Sequence, residues 1–136
     1  MFAWKHEERV PTTARPDRIW ELWSRPETWR EWDDEVEWAR LDGPFAEGTP
    51  GELKPKGGPR VRFTLRSVEV GRGFSDRAHL PLTSLDFIHE LAGGCLVHRV
   101  EMRGLLTPLF RRVIGIKVER GLRASMTRLV RMAEAA

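Results

Sequence analysis

Two histidines are the residues of this 136-residue chain whose type and spacing could do chemistry. His89 falls in SLDFIHEL and His98 in CLVHRVEMRGL, and Gly93-Gly94 between them closes a hairpin that sets the two on neighbouring strands. Each is in phase with apolar residues: Leu85, Phe87 and Leu91 for the first, Leu96, Val100 and Met102 for the second. If that phase faces inward, both imidazoles enter the interior. An imidazole with a pKa of about 6.5 moves a proton at neutral pH, as an aldol-type cyclisation or a dehydration requires. The other reading is a pair of core histidines, each satisfied by a neighbouring hydroxyl or carbonyl.

Other candidate groups surround this pair. Trp20, Trp23, Trp29 and Trp32 offer large apolar area with an N–H handle, for lining a pocket or for packing short helices on a sheet. Trp32, placed after the second of those helices, is the expected pocket residue. Asp33, Asp34, Glu35 and Glu37 form an acidic run that serves acid–base chemistry if one carboxyl is buried and is otherwise a solvated loop. The same run would repel the phosphates of a nucleic acid, so no nucleic-acid partner is expected. His6, His79, His89 and His98 show no close pairing, and one cysteine supplies no zinc box, so no metal is expected. No Gly-rich loop follows a strand and opens a helix, and no Ser sits in a nucleophile elbow; no cofactor is expected.

The elements that must position these groups follow from period and punctuation. Residues 2–13 read as an edge strand, because Pro11 cannot donate to a sheet ladder. Pro16 and Pro26 open two short helices, carrying Ile19, Trp20, Leu22 and Trp23, then Trp29 and Trp32. From Asp34 to about Leu106 the pattern is strand-like: VEWARLD, a short exposed strand within GTPGELKPKGGP, VRFTLRSVEV with Val61, Phe63 and Leu65 on one face, then FSDRAHLPL, SLDFIHEL and CLVHRVEMRGL. Gly-rich turns make these strands antiparallel. Thr107-Pro108 starts a long terminal helix, with the Thr hydroxyl expected to cap the first turn. Gly115, Val118, Leu122, Ser125, Met126, Leu129 and Ala133 form its sheet-facing stripe, and Lys117, Arg120, Arg123, Arg128 and Arg131 face water. Leu109, Phe110, Val113, Ile114 and Ile116 surround the helix start, which needs a cover other than the sheet.

Length fits one domain over 1–136. With 40% hydrophobic and 32% charged residues the chain is not of disordered composition, and no apolar run approaches the roughly 20 residues that span a bilayer. No stable membrane insertion is expected. The start, MFAWKHEERV, lacks an apolar segment of signal-peptide length, and Cys95 has no partner for a disulfide; the expected location is the cytoplasm. A net charge of +3 is concentrated between Arg111 and Arg131.

The order of strand, two short helices, about six strands and a long helix resembles the START-like (SRPBCC) superfamily, in its polyketide cyclase/dehydrase branch. The residues that carry the resemblance are Ala14, Pro16, Ile19, Trp20, Trp23, Pro26, Glu27, Trp29, Trp32 and Asp33. A second block is Phe87, His89, Glu90, Gly93, Gly94, His98 to Glu101, Gly104, Leu105 and Pro108. Arg15 and Arg25 stand where that family often has a capping Ser, Thr or Asp, so the short helices should start without side-chain caps. The resemblance implies an α+β helix-grip fold, a curved antiparallel sheet of about seven strands around the C-terminal helix. It also implies an apolar cavity between them that takes a small hydrophobic molecule of lipid, polyketide or aromatic type. The expected lining is Trp32, Phe63, Phe87, His89, His98, Val100, Phe110 and Ile114. The alternative is a cyclase or dehydratase with His89 or His98 as general acid/base. A third reading is an interaction protein that forms a homodimer through Leu109, Val113 and Ile116 or touches an anionic membrane through its basic helix.

Overall fold

The computed structural model describes residues 2–135. Seven strands form one antiparallel sheet: β1 (Phe2–Pro11), β2 (Val36–Leu41), β3 (Pro50–Pro55), β4 (Val61–Glu69), β5 (Gly73–Leu80), β6 (Thr83–Ala92) and β7 (Cys95–Gly104). Their order across the sheet is β1-β7-β6-β5-β4-β3-β2, so only β1 and β2 are edges. Pro11 ends β1 on the outer edge, where its missing N–H costs no ladder bond. Between β1 and β2 lie α1 (Pro16–Trp23) and a 3-10 turn (Pro26–Thr28) running into α2 (Trp29–Trp32). Neither Arg15 nor Arg25 caps its helix through a side chain, as their residue types require.

Two expectations are corrected. The β3 strand is not exposed: it lies between β2 and β4, and Gly51 and Glu52 are buried. Gly51 admits Phe63 beside it, since a Cβ there would stand 2.7 Å from the ring and 2.4 Å from the Arg40 carbonyl oxygen. Nor does Thr107 cap the terminal helix. Leu106 occupies the cap position, Thr107 is already helical, and its hydroxyl donates to the Phe2 carbonyl oxygen (3.4 Å), tying the helix start to β1.

That helix runs as α3 (Thr107–Phe110), a π turn (Arg111–Gly115) and α4 (Ile116–Glu134). Gly115 lies under Trp4, where an added Cβ would be 3.2 Å from the indole. Along α4, Leu122, Ser125, Met126, Leu129, Val130 and Ala133 are buried against the sheet and the short helices, while Lys117, Arg120, Arg123, Arg128 and Arg131 are exposed. Each fully buried side chain such as Met126 or Leu129 contributes about 1.5–3 kcal/mol. Polar ties fix the far end: Arg128 bonds both carboxylate oxygens of Asp34, and Glu134 accepts from Thr12 and Thr13.

Candidate functional site

The register of the sheet sorts its inner face into rows. One row reads Glu8, His98, His89, Phe74, Val68; the next reads His6, Val100, Phe87, Asp76, Leu65; a third reads Trp4, Met102, Leu85, Ala78, Phe63. Both histidines therefore point inward and face each other across β6 and β7, with ring centroids 4.6 Å apart. Phe74 stacks on His89 at 4.0 Å, Trp23 meets both imidazoles at about 6 Å, and Trp32 lies 6.1 Å from His98. The short helices thus lay their tryptophans on the histidine row.

Among the described residues each histidine of the pair has one hydrogen-bond partner, and the partner sets its tautomer. Nδ1 of His89 lies 3.3 Å from the Phe74 carbonyl oxygen, which only accepts, so Nδ1 carries the proton and Nε2 keeps its lone pair. The Trp23 indole N–H donates to Nε2 of His98 (3.3 Å), leaving the proton on Nδ1. Burial drives the basicity of both rings down, that of His89 to about 3 and that of His98 well below the ordinary value, where the adjacent imidazole adds to the effect. Both are neutral at pH 7.

The second row holds a residue that the sequence reading passed over. Asp76 is only 6% exposed, between Leu65 and Phe87 on the inner face. Loss of hydration, and secondarily the charge of Asp86, push its carboxyl up to about 8, with no hydrogen bond among the described residues to oppose them. It is protonated at neutral pH and presents an O–H donor. The signal was an acid on the phase of Phe74, Ala78 and Leu80. It was masked because Ser75, Arg77 and His79 make the other phase polar as well, so one more polar residue gave no contrast.

Of the expected lining residues, Trp32, His89 and His98 form one cluster, and Phe87 pairs with Val100 in the adjoining row. Phe63 stands apart in the third row, covered by Trp29 at 5.9 Å. Phe110 and Ile114 come from the start of the terminal helix and pack half-buried on the border of the core, as do Val61, Leu80 and Phe87 from the sheet. The space beneath α1 and α2 is closely occupied: Ile19, Trp23, Leu96, Val100, Met126 and Leu129 are fully buried there. One donor within it is unsatisfied, the buried indole N–H of Trp32. The acidic run is mostly exposed, with Asp34 bonded to Arg128; Asp33 is half-buried and accepts from the Glu35 amide (3.0 Å), and loss of hydration holds its carboxyl above the ordinary value. Among the described residues no group of three or more His, Cys, Asp or Glu is placed to hold a metal ion.

Solved structures of the same architecture are numerous. The protein MLL2253 from Mesorhizobium loti superposes with a TM-score of 0.70 at 17% identity, over 98% of each chain. The Zhui aromatase/cyclase from Streptomyces sp. R1128 does so with 0.72 at 16% identity, over 98% of this chain and 94% of the other. A point mutant of norcoclaurine synthase from Thalictrum flavum, in complex with a transition-state analogue, gives 0.64 at 14% identity, over 98% and 96%. At such identities the likeness speaks for the fold alone. No curated protein matches the chain. A family model does match, over residues 3–134, and its span takes in the short helices, the histidine hairpin and the terminal helix. With the seven-stranded sheet gripping that helix, this match places the chain in the family described as polyketide cyclase/dehydrase and lipid transport.

Proposed function

We propose that this protein binds and carries a small hydrophobic molecule, held on the inner face of the sheet next to the start of the terminal helix. The observation that carries the reading is Asp76. A carboxyl only 6% exposed, with no hydrogen-bond partner among the described residues, costs free energy and calls for a reason. An oxygen-bearing apolar ligand supplies one, accepting from the Asp76 O–H while its hydrocarbon meets Phe87, Val100, Phe110 and Ile114. Trp32, with its free indole N–H, and the His89–His98 pair form the floor, and Phe63 supports it from the third row. No helix among the described residues is long and apolar enough to cross a membrane, and a single Cys95 suits a reducing compartment such as the cytoplasm.

A second reading, catalysis of cyclisation or dehydration, is favoured by the same carboxyl rather than by the histidines. A carboxyl with a pKa of about 8 is a competent proton donor at pH 7, whereas imidazoles held neutral far below that pH are weak bases and no acids.

The first test is the native mass of gently purified protein against its denatured mass. A noncovalent adduct of a few hundred daltons, lost on denaturation, is the expected result. Asp76→Leu should shed the adduct, while His89→Gln with His98→Gln should keep affinity within a few-fold. An adduct retained by Asp76→Leu removes the carboxyl from the site, and a clean mass after exposure to extracted lipids counts against a carrier.

A further inference from the structure

Seven large apolar side chains are exposed among the described residues, and six of them, Phe2, Leu82, Leu105, Leu109, Val113 and Ile116, belong to one end of the molecule and the helix leaving it. Three chain segments meet there. The Leu105 amide donates to the Leu82 carbonyl oxygen (3.0 Å), the Thr107 hydroxyl donates to the Phe2 carbonyl oxygen, and Phe2 and Thr83 both pair with Gly104. Leu82 and Leu105 are 69% and 58% exposed.

Leu82 is unusual in a second way. It sits in the two-residue turn between Leu80 and Thr83, after Pro81, with φ 51°, the left-handed region that favours glycine. A leucine there strains the backbone, and its exposed side chain recovers nothing by packing within the fold.

The same segment of chain is basic. Between residues 102 and 120 stand five basic residues, Arg103, Arg111, Arg112, Lys117 and Arg120, all exposed, against one acidic residue, Glu119. Lys117 shares Glu35 at 3.8 Å; among the described residues the four arginines meet no carboxylate within salt-bridge distance. A second copy of the chain on this face would bring two basic collars together. An anionic bilayer complements them.

We propose that this end of the molecule docks on an anionic lipid bilayer, with Leu82, Leu105, Leu109 and Val113 entering the boundary of headgroups and acyl chains and the arginines holding the headgroup phosphates. Such docking is superficial, as for other interfacial apolar faces with a basic rim. The inference rests on the ligand-binding reading for its purpose, since Phe110 and Ile114, on the same helix start, would then receive the ligand from the membrane.

The experiment is co-sedimentation with vesicles of phosphatidylcholine alone and of phosphatidylcholine mixed with phosphatidylglycerol. Partitioning onto the mixed vesicles should be at least ~10-fold stronger and should weaken with added salt. Leu82→Gly and Leu109→Ser should each reduce it by at least ~5-fold. Arg111→Glu combined with Arg112→Glu should remove the preference for anionic lipid. Because Leu82→Gly relaxes the turn, its melting temperature should be unchanged or raised, which separates lost docking from lost folding. Equal binding to both vesicle types, or binding indifferent to the two leucine variants, overturns the proposal. So does a lipid-free dimer, seen by sedimentation, that the same variants dissociate. The two readings fail separately: an adduct in the native mass without vesicle binding sinks docking alone, and vesicle binding without any adduct supports docking while sinking carriage.

Discussion

His89, His98 and Asp76 are all held neutral by burial, but they load the fold with opposite pH dependence. Between the ordinary carboxylate value of 3.8 and about 8, Asp76 is protonated in the folded protein and ionised in the unfolded chain. The folded state then binds more protons, so stability falls as pH rises through that window. For the histidines the sign reverses. Between about 3 and 6.5 for His89, and below 6.5 for His98, whose basicity burial and the adjacent imidazole hold well under the ordinary value, the unfolded chain binds the proton that the folded protein refuses, so stability falls as pH falls. Each group contributes a slope of about 1.4 kcal/mol per pH unit. Below pH 6.5 two histidines outweigh one aspartate; above it Asp76 acts alone until its folded pKa is passed. Urea midpoints taken from acid to mildly alkaline pH should therefore peak close to pH 6.5. Asp76→Asn should abolish the alkaline decline and steepen the acid one. A midpoint that climbs from pH 6.5 to 8 in the wild type would mean that Asp76 is already ionised in the fold.

The elements rest on a few positions where one atom decides the packing. Gly51 in β3 is the clearest, because Phe63 from β4 and the Arg40 carbonyl from β2 converge on the place a Cβ would take. Gly51→Ala should cost roughly 1–3 kcal/mol, the range of overpacked sites, and lower the thermal midpoint without altering the sheet's far side. An unchanged midpoint would show that β2 and β3 separate freely. Most elements were legible because each carries its own punctuation. Pro16 and Pro26 open helices, Gly93-Gly94 closes the hairpin, and the two-residue period of Val61, Phe63 and Leu65 marks an inner face that the structure shares. Burial of β3 was hidden by its Gly and Pro content, which signals exposure locally but serves close approach in the assembled sheet. Thr107 was misread because its hydroxyl had a competing acceptor, the Phe2 carbonyl, some hundred residues away in sequence. The π turn left no local mark. At the site, the inward phase of His89 and His98 was readable from alternation, whereas Asp76 could be found only once the register set it between Leu65 and Phe87.

At the scale of the whole molecule the terminal helix is divided in its support. From Leu122 onward it is sandwiched between the sheet and the two short helices, and tied by Arg123 to Glu8, by Arg128 to Asp34 and by Glu134 to Thr12 and Thr13. From Thr107 to Ile116 its partners are the edge strand β1 and the end of β7, with Leu109, Val113 and Ile116 facing out. Regions with few buried apolar contacts open at lower free energy than the core. Hydrogen exchange should reflect this: amides of Val113 to Ile116 should exchange at least ~100-fold faster than those of Met126 to Val130, which await global unfolding. A ligand bound beneath Phe110 and Ile114 must be released before the helix start opens, so it should slow the first group by the factor 1 + [L]/Kd. It should also slow the second, since the unfolded chain cannot hold it. A ligand resting on the outer face of α4 would leave the first group's rate unchanged under local opening, because the site would persist while residues 107–116 moved; only the second group would slow, and the ratio between them would widen. Equal protection of the two groups in the free protein would instead make the helix a single opening unit, and entry of a ligand would then require a route that leaves residues 107–116 in place.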